Sequence, residues 1–411
     1  MEFSPCRICK SQVFEIISFG KMPIANAFVE QNLQSEYRFN LVAGYCTSCY
    51  MFQLLEQPNP DQMFHESYPF FTGLSVSMKK HFQEMSENHI TDNIIKNKES
   101  FIIEIGCNDG TFLQNVMDKN IKHLGVDPSK NVVEKAQEKG INAVAEFYSY
   151  AASKTINEKY GKAIRIFASN VICHIPNMHD FMQGIRNNLS PEGEFIFEEP
   201  YLLSMLKKTS YDQLYDEHVY MFSLMSIKKL AEMHDLILVD AIPQETHGGS
   251  MRYVLKHSST NQKLSSDGLN LLNEELTYGL DKLQTYQIFA KNCETRKHEF
   301  VSLLKNLKLE NKVVGGYAAT SKSTTVLNYC GIDKSLISFI SDSTPEKIGT
   351  VAPGSNIPII SHEEMREIRP DYLVLFAWNH EKEIMEKEHL LTRNGMKWIR
   401  FVPEVGLVNE K

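Results

Sequence analysis

Two close cysteine pairs, Cys6/Cys9 and Cys46/Cys49, stand 36 residues apart, each a C-x2-C. One such pair can put two thiolates on an ion, and two pairs close a tetrahedral site that leaves no position open to a substrate. The expected ion is structural zinc, with rubredoxin-like iron as the other ion that four thiolates suit. For a chain expected in the cytoplasm, disulfides are the weaker reading. Cys107, Cys173, Cys293 and Cys330 show no paired spacing and read as buried or incidental thiols.

The second chemical signal is Glu104-Ile105-Gly106-Cys107-Asn108-Asp109-Gly110-Thr111, followed by Gly125-Val126-Asp127. Glycines at 106 and 110 permit a sharp turn and close approach of a ligand. An acid ending the next strand, Asp127, suits a ribose diol. A dinucleotide site wants a G-x-G-x-x-G run, so that a pyrophosphate can sit on the helix N-terminus. Here Asp109 would repel phosphate and Glu104 would attract a cation. The loop is therefore expected to hold S-adenosylmethionine, which carries an ammonium and a sulfonium and no phosphate, through Glu104, Gly106, Asn108, Gly110 and Asp127. Asn170 and His174 follow a later strand, and their loop could lie along the donor. His174 reads as a loop hydrogen-bonding residue rather than a catalyst.

A third cluster, Tyr211 to Ser223, gathers tyrosines, acids and His218. It reads equally as a surface helix end or as a base with its orienter. A histidine can take a proton near neutral pH, and a neighbouring carboxylate or tyrosine (Glu217, Tyr215) can set its tautomer. Thr246-His247-Gly248-Gly249 is a glycine turn whose backbone could approach a ligand. Around Lys322, small residues and hydroxyls open a helix, an arrangement that suits an anion such as a diphosphate or, more simply, a capped helix start with a solvated lysine.

These residues need elements to hold them. Phe101–Ile105 is a short apolar run, expected as a buried parallel strand, with a helix after the glycines. Strand and helix then alternate through Ile164–Asn170, a helix from about Met178 to Asn188, a turn at Leu189–Gly193 and a strand over Glu194–Pro200. A helix is expected from about Ser75 to His89, a mostly helical stretch from Ser265 to Lys308, and a loop over Phe19–Phe28. The fold class is α/β: an N-terminal zinc-binding module (1–70), a central doubly wound Rossmann-like domain (71–290) and a second Rossmann-like α/β domain (291–411). No internal repeat is visible.

A chain of 411 residues is long enough for two or three domains. A net charge of −8 argues against nucleic acid or an anionic membrane as partner. No apolar run reaches the ~20 residues that span a bilayer. Met1–Cys6 lacks a basic region followed by an apolar core, so no signal peptide is expected and the expected location is cytoplasmic.

The order of these parts resembles the nucleotide-sugar C-methyltransferases that act at C3 of 4-keto-6-deoxy sugars. The resemblance runs over essentially the whole chain and is carried by the four cysteines, Pro23-Ile24-Ala25-Asn26-Ala27, Glu104–Thr111, Gly125–Pro128, Tyr215-x-Glu217-His218, Thr246–Ser250, Leu327-Asn328-Tyr329-Cys330-Gly331-Ile332 and Pro353-Gly354-x-x-Ile357-Pro358. It implies methyl transfer from S-adenosylmethionine to C3 of a nucleotide-diphosphate sugar, with no nucleic-acid or membrane partner. His218 falls where the family places its base, with Glu217 and Tyr215 beside it. Tyr68, His247, Lys322 and Asn328 are placed with the acceptor, and the nucleotide against the C-terminal domain. A C3 proton beside a C4 ketone is acidified because the carbanion becomes an enolate, and Tyr215 or Tyr220 could donate to the enolate oxygen. Departures lie on the acceptor side: Asp216 replaces a histidine, Tyr220 and Met221 replace a serine and an aromatic, and Ser321 and Ser323 depart from the usual Ala-Lys-Gly.

Overall fold

Three sheets follow one another along the chain in a computed structural model that describes residues 4–28, 36–58 and 71–408. The first is antiparallel and contains β1 (Val13–Pro23), β2 (Arg38–Cys46) and β3 (Phe52–Leu54). Phe19–Pro23, expected as loop, is the end of β1. Register shifts at Glu15/Ile17 and Ser18/Lys21 absorb Gly20, at φ +81°, and pairing resumes through Pro23. Tyr68 lies outside the described residues.

The helix expected from Ser75 is α1 (Val76–His89), capped by the Ser75 hydroxyl, which accepts from Met78 N at 3.2 Å. After α2 (Asp92–Lys96) come β4 (Phe101–Ile105), α3 (Thr111–Met117), β5 (Lys122–Asp127), α4 (Lys130–Glu138) and β6 (Ala143–Ala145). Then follow α5 (Tyr150–Tyr160), β7 (Ala163–Ser169), α6 (Met178–Asn188) and β8 (Leu189–Pro200). The turn expected at Leu189–Gly193 is absorbed into β8 as a register shift against β7. α7 (Leu202–Lys208), β9 (Tyr220–Met221), α8 (Leu224–Glu232), β10 (Leu236–Gln244) and β11 (Ser250–His257) complete this part. Its sheet runs β10-β11-β8-β7-β4-β5-β6, with β4 buried throughout. β9 leaves that sheet and pairs with β3, Gln53 opposite Tyr220, so the first sheet holds a strand from the middle of the chain.

The long helical stretch breaks at Gly279 (φ +90°) into α9 (Ser266–Tyr278) and α10 (Leu283–Leu309). α10 runs across residue 290 and lays Tyr286 on Tyr45 of β2, ring centroids 3.9 Å apart. The last part contains β12 (Val314–Tyr317), α11 (Ser321–Cys330), β13 (Ile340–Asp342), β14 (Ile359–Ser361) and α12 (His362–Ile368). β15 (Tyr372–Leu375), α13 (Glu381–Lys387), α14 (His389–Arg393), β16 (Lys397–Arg400) and β17 (Gly406–Leu407) end it.

This third sheet runs β14-β13-β12-β15-β16-β17, and its first five positions repeat the order β6-β5-β4-β7-β8. The repeat extends to detail. Asp127 accepts from Asn108 N (3.0 Å) and Ser129 N (2.9 Å); Asp342 accepts from Ala319 N (2.7 Å) and Thr344 N (2.8 Å). In each domain an acid at the end of the second strand ties down the loop after the first. Among the described residues, no helix is long and apolar enough to cross a membrane.

Candidate active site

The four N-terminal thiols converge. Cys6 Sγ lies 3.5 Å from Cys49 Sγ and Cys9 Sγ lies 3.4 Å from Cys46 Sγ, with all four sulfurs within 4.8 Å of one another. Zinc–sulfur bonds of about 2.3 Å in a tetrahedron put sulfurs about 3.8 Å apart, so the cage fits zinc with little adjustment. Ile8 N (3.3 Å) and Gln53 Nε2 (3.1 Å) donate to Cys6 Sγ, as suits a metal-bound thiolate. The ion is structural, because the protein fills every position.

The donor loop leaves β4 at Gly106 (φ +70°) and enters α3 after Gly110 (φ +76°). A Cβ at Gly106 would stand 2.1 Å from Val171 Cγ2, and one at Gly110 would stand 2.3 Å from Ile141 Cδ1. Both glycines therefore serve the turn and also admit a neighbouring side chain. Asp109 is a brace within the protein. It accepts from Thr111 Oγ1 (2.6 Å) and Gly73 N (3.1 Å) and pairs with Lys139 (3.1 Å), so its charge is compensated and phosphate repulsion is not its task. Two acceptors expected on the donor side, on Glu104 and Asn170, are left over. Glu104 Oε2 and Asn170 Oδ1 are buried with no hydrogen-bond partner among the described residues. Burial, then the charges of Asp127 and Asp109, raise the Glu104 carboxyl well above its ordinary value. A buried lone acceptor of this kind fits an ammonium or a hydroxyl, which are what S-adenosylmethionine brings. Glu104→Gln is expected to weaken S-adenosylmethionine binding about ten-fold, by loss of a charge-assisted hydrogen bond. Titration calorimetry checks this, and an unchanged affinity would remove Glu104 from the donor set.

His218 sits in the turn just before β9. Its Nδ1 donates to the Gln213 carbonyl (2.8 Å), and its Nε2 accepts from the Tyr215 hydroxyl (2.7 Å). The carbonyl fixes the proton on Nδ1 and leaves Nε2 as the basic nitrogen. Burial first, then His174, hold the imidazole well below its ordinary pKa of 6.5. The His174 ring lies against it, centroids 5.4 Å apart at 25°. Of the two orienters the sequence suggested, Tyr215 is beside the ring on Nε2 and Glu217 is not, while the tautomer is set by a backbone carbonyl.

Glu217 points elsewhere. It accepts from Asn26 Nδ2 (2.7 Å), whose Oδ1 accepts from Ser321 Oγ (2.9 Å). Asp216 accepts from Ala25 N (3.0 Å), and Thr324 Oγ1 donates to Ala25 O (2.9 Å). The Ala25-Asn26 segment therefore joins the zinc module, the His218 turn and α11 at one point. Burial raises both carboxyls above the usual range, and Glu217 is pushed further by Asp216. Tyr220 donates to Pro176 O (3.2 Å) from a buried position in β9 and is not placed to serve an enolate.

Lys322, at the start of α11, has an Nζ buried without a hydrogen-bond partner among the described residues, 5.5 Å from the centroid of Trp378. Trp378 Nε1 donates to Asp212 Oδ2 at 2.8 Å, and Asp212 Oδ1 has no hydrogen-bond partner among the described residues. Gly248 lies flat on the same indole; a Cβ there would meet Trp378 Cη2 at 2.1 Å. His247, at φ +53°, is depressed to about 3 by burial, then by Lys322 and His380. The Lys322 charge is felt by both His247 and His218. Asn328 is engaged otherwise: its amide donates to Thr324 O (2.8 Å) and Pro353 O (3.0 Å), fixing the loop before Ile357. Asp212, Trp378, Gln213, Asn26 and Gln53 were not marked by sequence reasoning. Asp212 and Gln213 had a signal, lying inside the Tyr211–Ser223 cluster, and Asn26 lay in the Pro23–Ala27 motif.

Three family models match in chain order: a zinc binding domain over residues 6–64, a methyltransferase domain over 78–241 and a C-methyltransferase C-terminal domain over 245–403. The C-methyltransferase NovU of Streptomyces niveus is 29% identical over 407 residues, which cover 98% of this chain and 96% of that protein. Among solved structures, a SAM-dependent methyltransferase of Anabaena variabilis is 16% identical, with 46% of this chain and 98% of that one covered, at a TM-score of 0.32. The magnesium protoporphyrin IX methyltransferase of Synechocystis, solved with bound SAM, is 12% identical, with 44% and 80% covered, at 0.33.

Proposed function

We propose that this chain, a member of the S-adenosylmethionine-dependent C-methyltransferases built on an N-terminal zinc-binding domain, methylates C3 of a nucleotide-linked 4-keto-6-deoxy sugar through an enolate. The supporting observation is His218: the Gln213 carbonyl fixes its tautomer with the proton on Nδ1, which leaves Nε2, the atom that accepts from Tyr215, as the basic nitrogen. In this reading residues 1–70, 71–290 and 291–411 act as zinc module, donor domain and acceptor domain. Glu104, Gly106, Asn108, Gly110, Asp127 and Asn170 hold the donor, and His247 and Lys322 serve the acceptor, with Asn328 holding the Pro353 loop. His218 is the base, with Tyr215 on its reactive nitrogen and Glu217 bracing the turn.

S-adenosylmethionine supplies an electrophilic methyl group. The protein supplies the rest. His218 Nε2 takes the C3 proton, and the C–H pair moves into the C3–C4 bond while the carbonyl oxygen gains charge. Tyr215 must swing from Nε2 as the sugar enters, because both claim the same lone pair. Holding acceptor and donor in line between two domains contributes much of the rate.

Incubation with labelled S-adenosylmethionine and a panel of nucleotide-linked 4-keto sugars in deuterated water tests this. The expected product gains a methyl group and loses the C3 hydrogen; methylation on oxygen, or of no panel member, would overturn it. The pH profile is a second check. Because His218 is depressed below 6.5, its basic form persists at and below that pH. The acid limb of kcat/KM is expected below pH 6.5, with a flat profile through neutrality. A limb assigned to His218 above pH 7 would contradict this environment.

A further inference from the structure

Lys322 presents a buried ammonium with no acceptor among the described residues, and Asp212 presents a buried carboxylate oxygen with no donor. Trp378 bridges them, under the lysine at 5.5 Å and hydrogen-bonded to the aspartate at 2.8 Å. Leaving two such groups unsatisfied is costly, so their stable state is one with a ligand between them. A diphosphate does not match this pair. It offers acceptors only, and the Asp212 carboxylate would repel it. A ketone beside a hydroxyl matches both: its carbonyl oxygen accepts from Lys322, and its hydroxyl donates to Asp212 Oδ1.

We propose that Lys322 is a catalytic residue that binds the reacting carbonyl oxygen, with Asp212 taking the hydroxyl next to it, so that the acceptor is recognised as an α-hydroxy ketone at this point. The inference rests on the reading given under Proposed function and assigns the atom that Lys322 touches. The step balances within the substrate and His218. The C–H bond breaks, its proton goes to His218 Nε2, its electron pair forms the C=C bond, and the carbonyl π pair settles on oxygen opposite the ammonium. The C=C pair then forms the new C–C bond to the methyl carbon, whose bond to sulfur breaks with its pair left on sulfur, and the oxygen pair returns to restore the ketone. The ammonium contributes most where charge is greatest, on the enolate and the transition state leading to it. Lys322 also stands close enough to His218 and His247 for its charge to act on both imidazoles. It adds to the burial and the His174 charge that already hold His218 below its ordinary value.

The test is deuterium wash-in at the carbon next to the ketone, followed by NMR without S-adenosylmethionine, using dTDP-4-keto-6-deoxyglucose and GDP-4-keto-6-deoxymannose as probes. Lys322→Ala is expected to slow exchange at saturating probe about 100-fold, as loss of an oxyanion donor does. The KM for the probe should stay within about three-fold, and ethylammonium in solution should restore part of the rate. Lys322→Arg keeps the charge and is expected to keep exchange within about ten-fold of the native rate. It guards against a folding defect in the alanine variant. A raised KM with an unchanged saturating rate would place Lys322 on the phosphates and overturn the inference. So would equal losses in the alanine and arginine variants with no amine rescue. No exchange by the native protein on either probe would instead remove the enolate reading itself, and this inference with it.

Discussion

His218→Asn is expected to lower methyl transfer about 1000-fold or more while S-adenosylmethionine affinity stays within about two-fold of the native value. Asparagine can still donate to the Gln213 carbonyl, since its amide nitrogen reaches roughly where Nδ1 stood. What it lacks is a nitrogen in the Nε2 position, the one that accepts from Tyr215 at 2.7 Å. The donor loop is built separately, from Gly106–Gly110 and Asp127, and shares no hydrogen bond with the His218 turn among the described residues. Loss of transfer with intact donor binding therefore separates base from scaffold. Deuterium exchange in the absence of donor should fall in parallel. The variant also loses its ring contact with His174, so a drop in stability of about 1 kcal/mol is expected. Exchange that survives in the variant would sink the assignment of His218 as base.

Much of this site could be read from residue types because its parts are local. Two C-x2-C pairs, the glycines bracketing 107–109 and the apolar run Phe101–Ile105 each act within a few residues, and each took the form expected of it. Asp109 shows where local reading stops. Its charge argued against a phosphate ligand, but Lys139 neutralises it from thirty residues away. The group that sets the His218 tautomer was missed for a different reason: a backbone carbonyl has no residue type to notice. The joint at Asn26 was invisible too. Asn26 meets Glu217 and Ser321 across sequence separations of 191 and 295 residues, which leave no periodicity behind. Trp378 and Asp212 pair across 166 residues. Both larger sheets were expected as Rossmann-like, but their common strand order left no internal repeat in the sequence, since strand order can persist where side chains do not.

The second large effect is expected from the zinc, even though no open coordination position makes it a reactant. Stripping the metal with a chelator, or Cys46→Ser, should abolish methyl transfer while S-adenosylmethionine still binds the central domain with affinity within about three-fold of native. Cys6 Sγ accepts from Gln53 Nε2 at 3.1 Å, and Gln53 Oε1 accepts from Arg7 N at 2.9 Å. Gln53 is also the residue of β3 that pairs with Tyr220 of β9, and Leu54 N donates to Val219 O at 2.8 Å. His218 is the next residue back. The strand that follows the base is therefore held by the strand that the zinc knuckles brace. Structural zinc contributes about 10–16 kcal/mol in small zinc-folded peptides, more than a short sheet of this kind supplies alone. Without it, β3 and β9 should separate and the His218 turn lose its anchor, with the Gln213 and Tyr215 hydrogen bonds following. Amide exchange should quicken first at Leu54 and Tyr220, then around His218, and stay slow in β4 and β5. Gln53→Ala, which keeps the four thiolates, should give a smaller loss of transfer with zinc still bound. If the metal-free protein turned over at the native rate, the zinc module would be a neighbour of the active site rather than part of what positions its base.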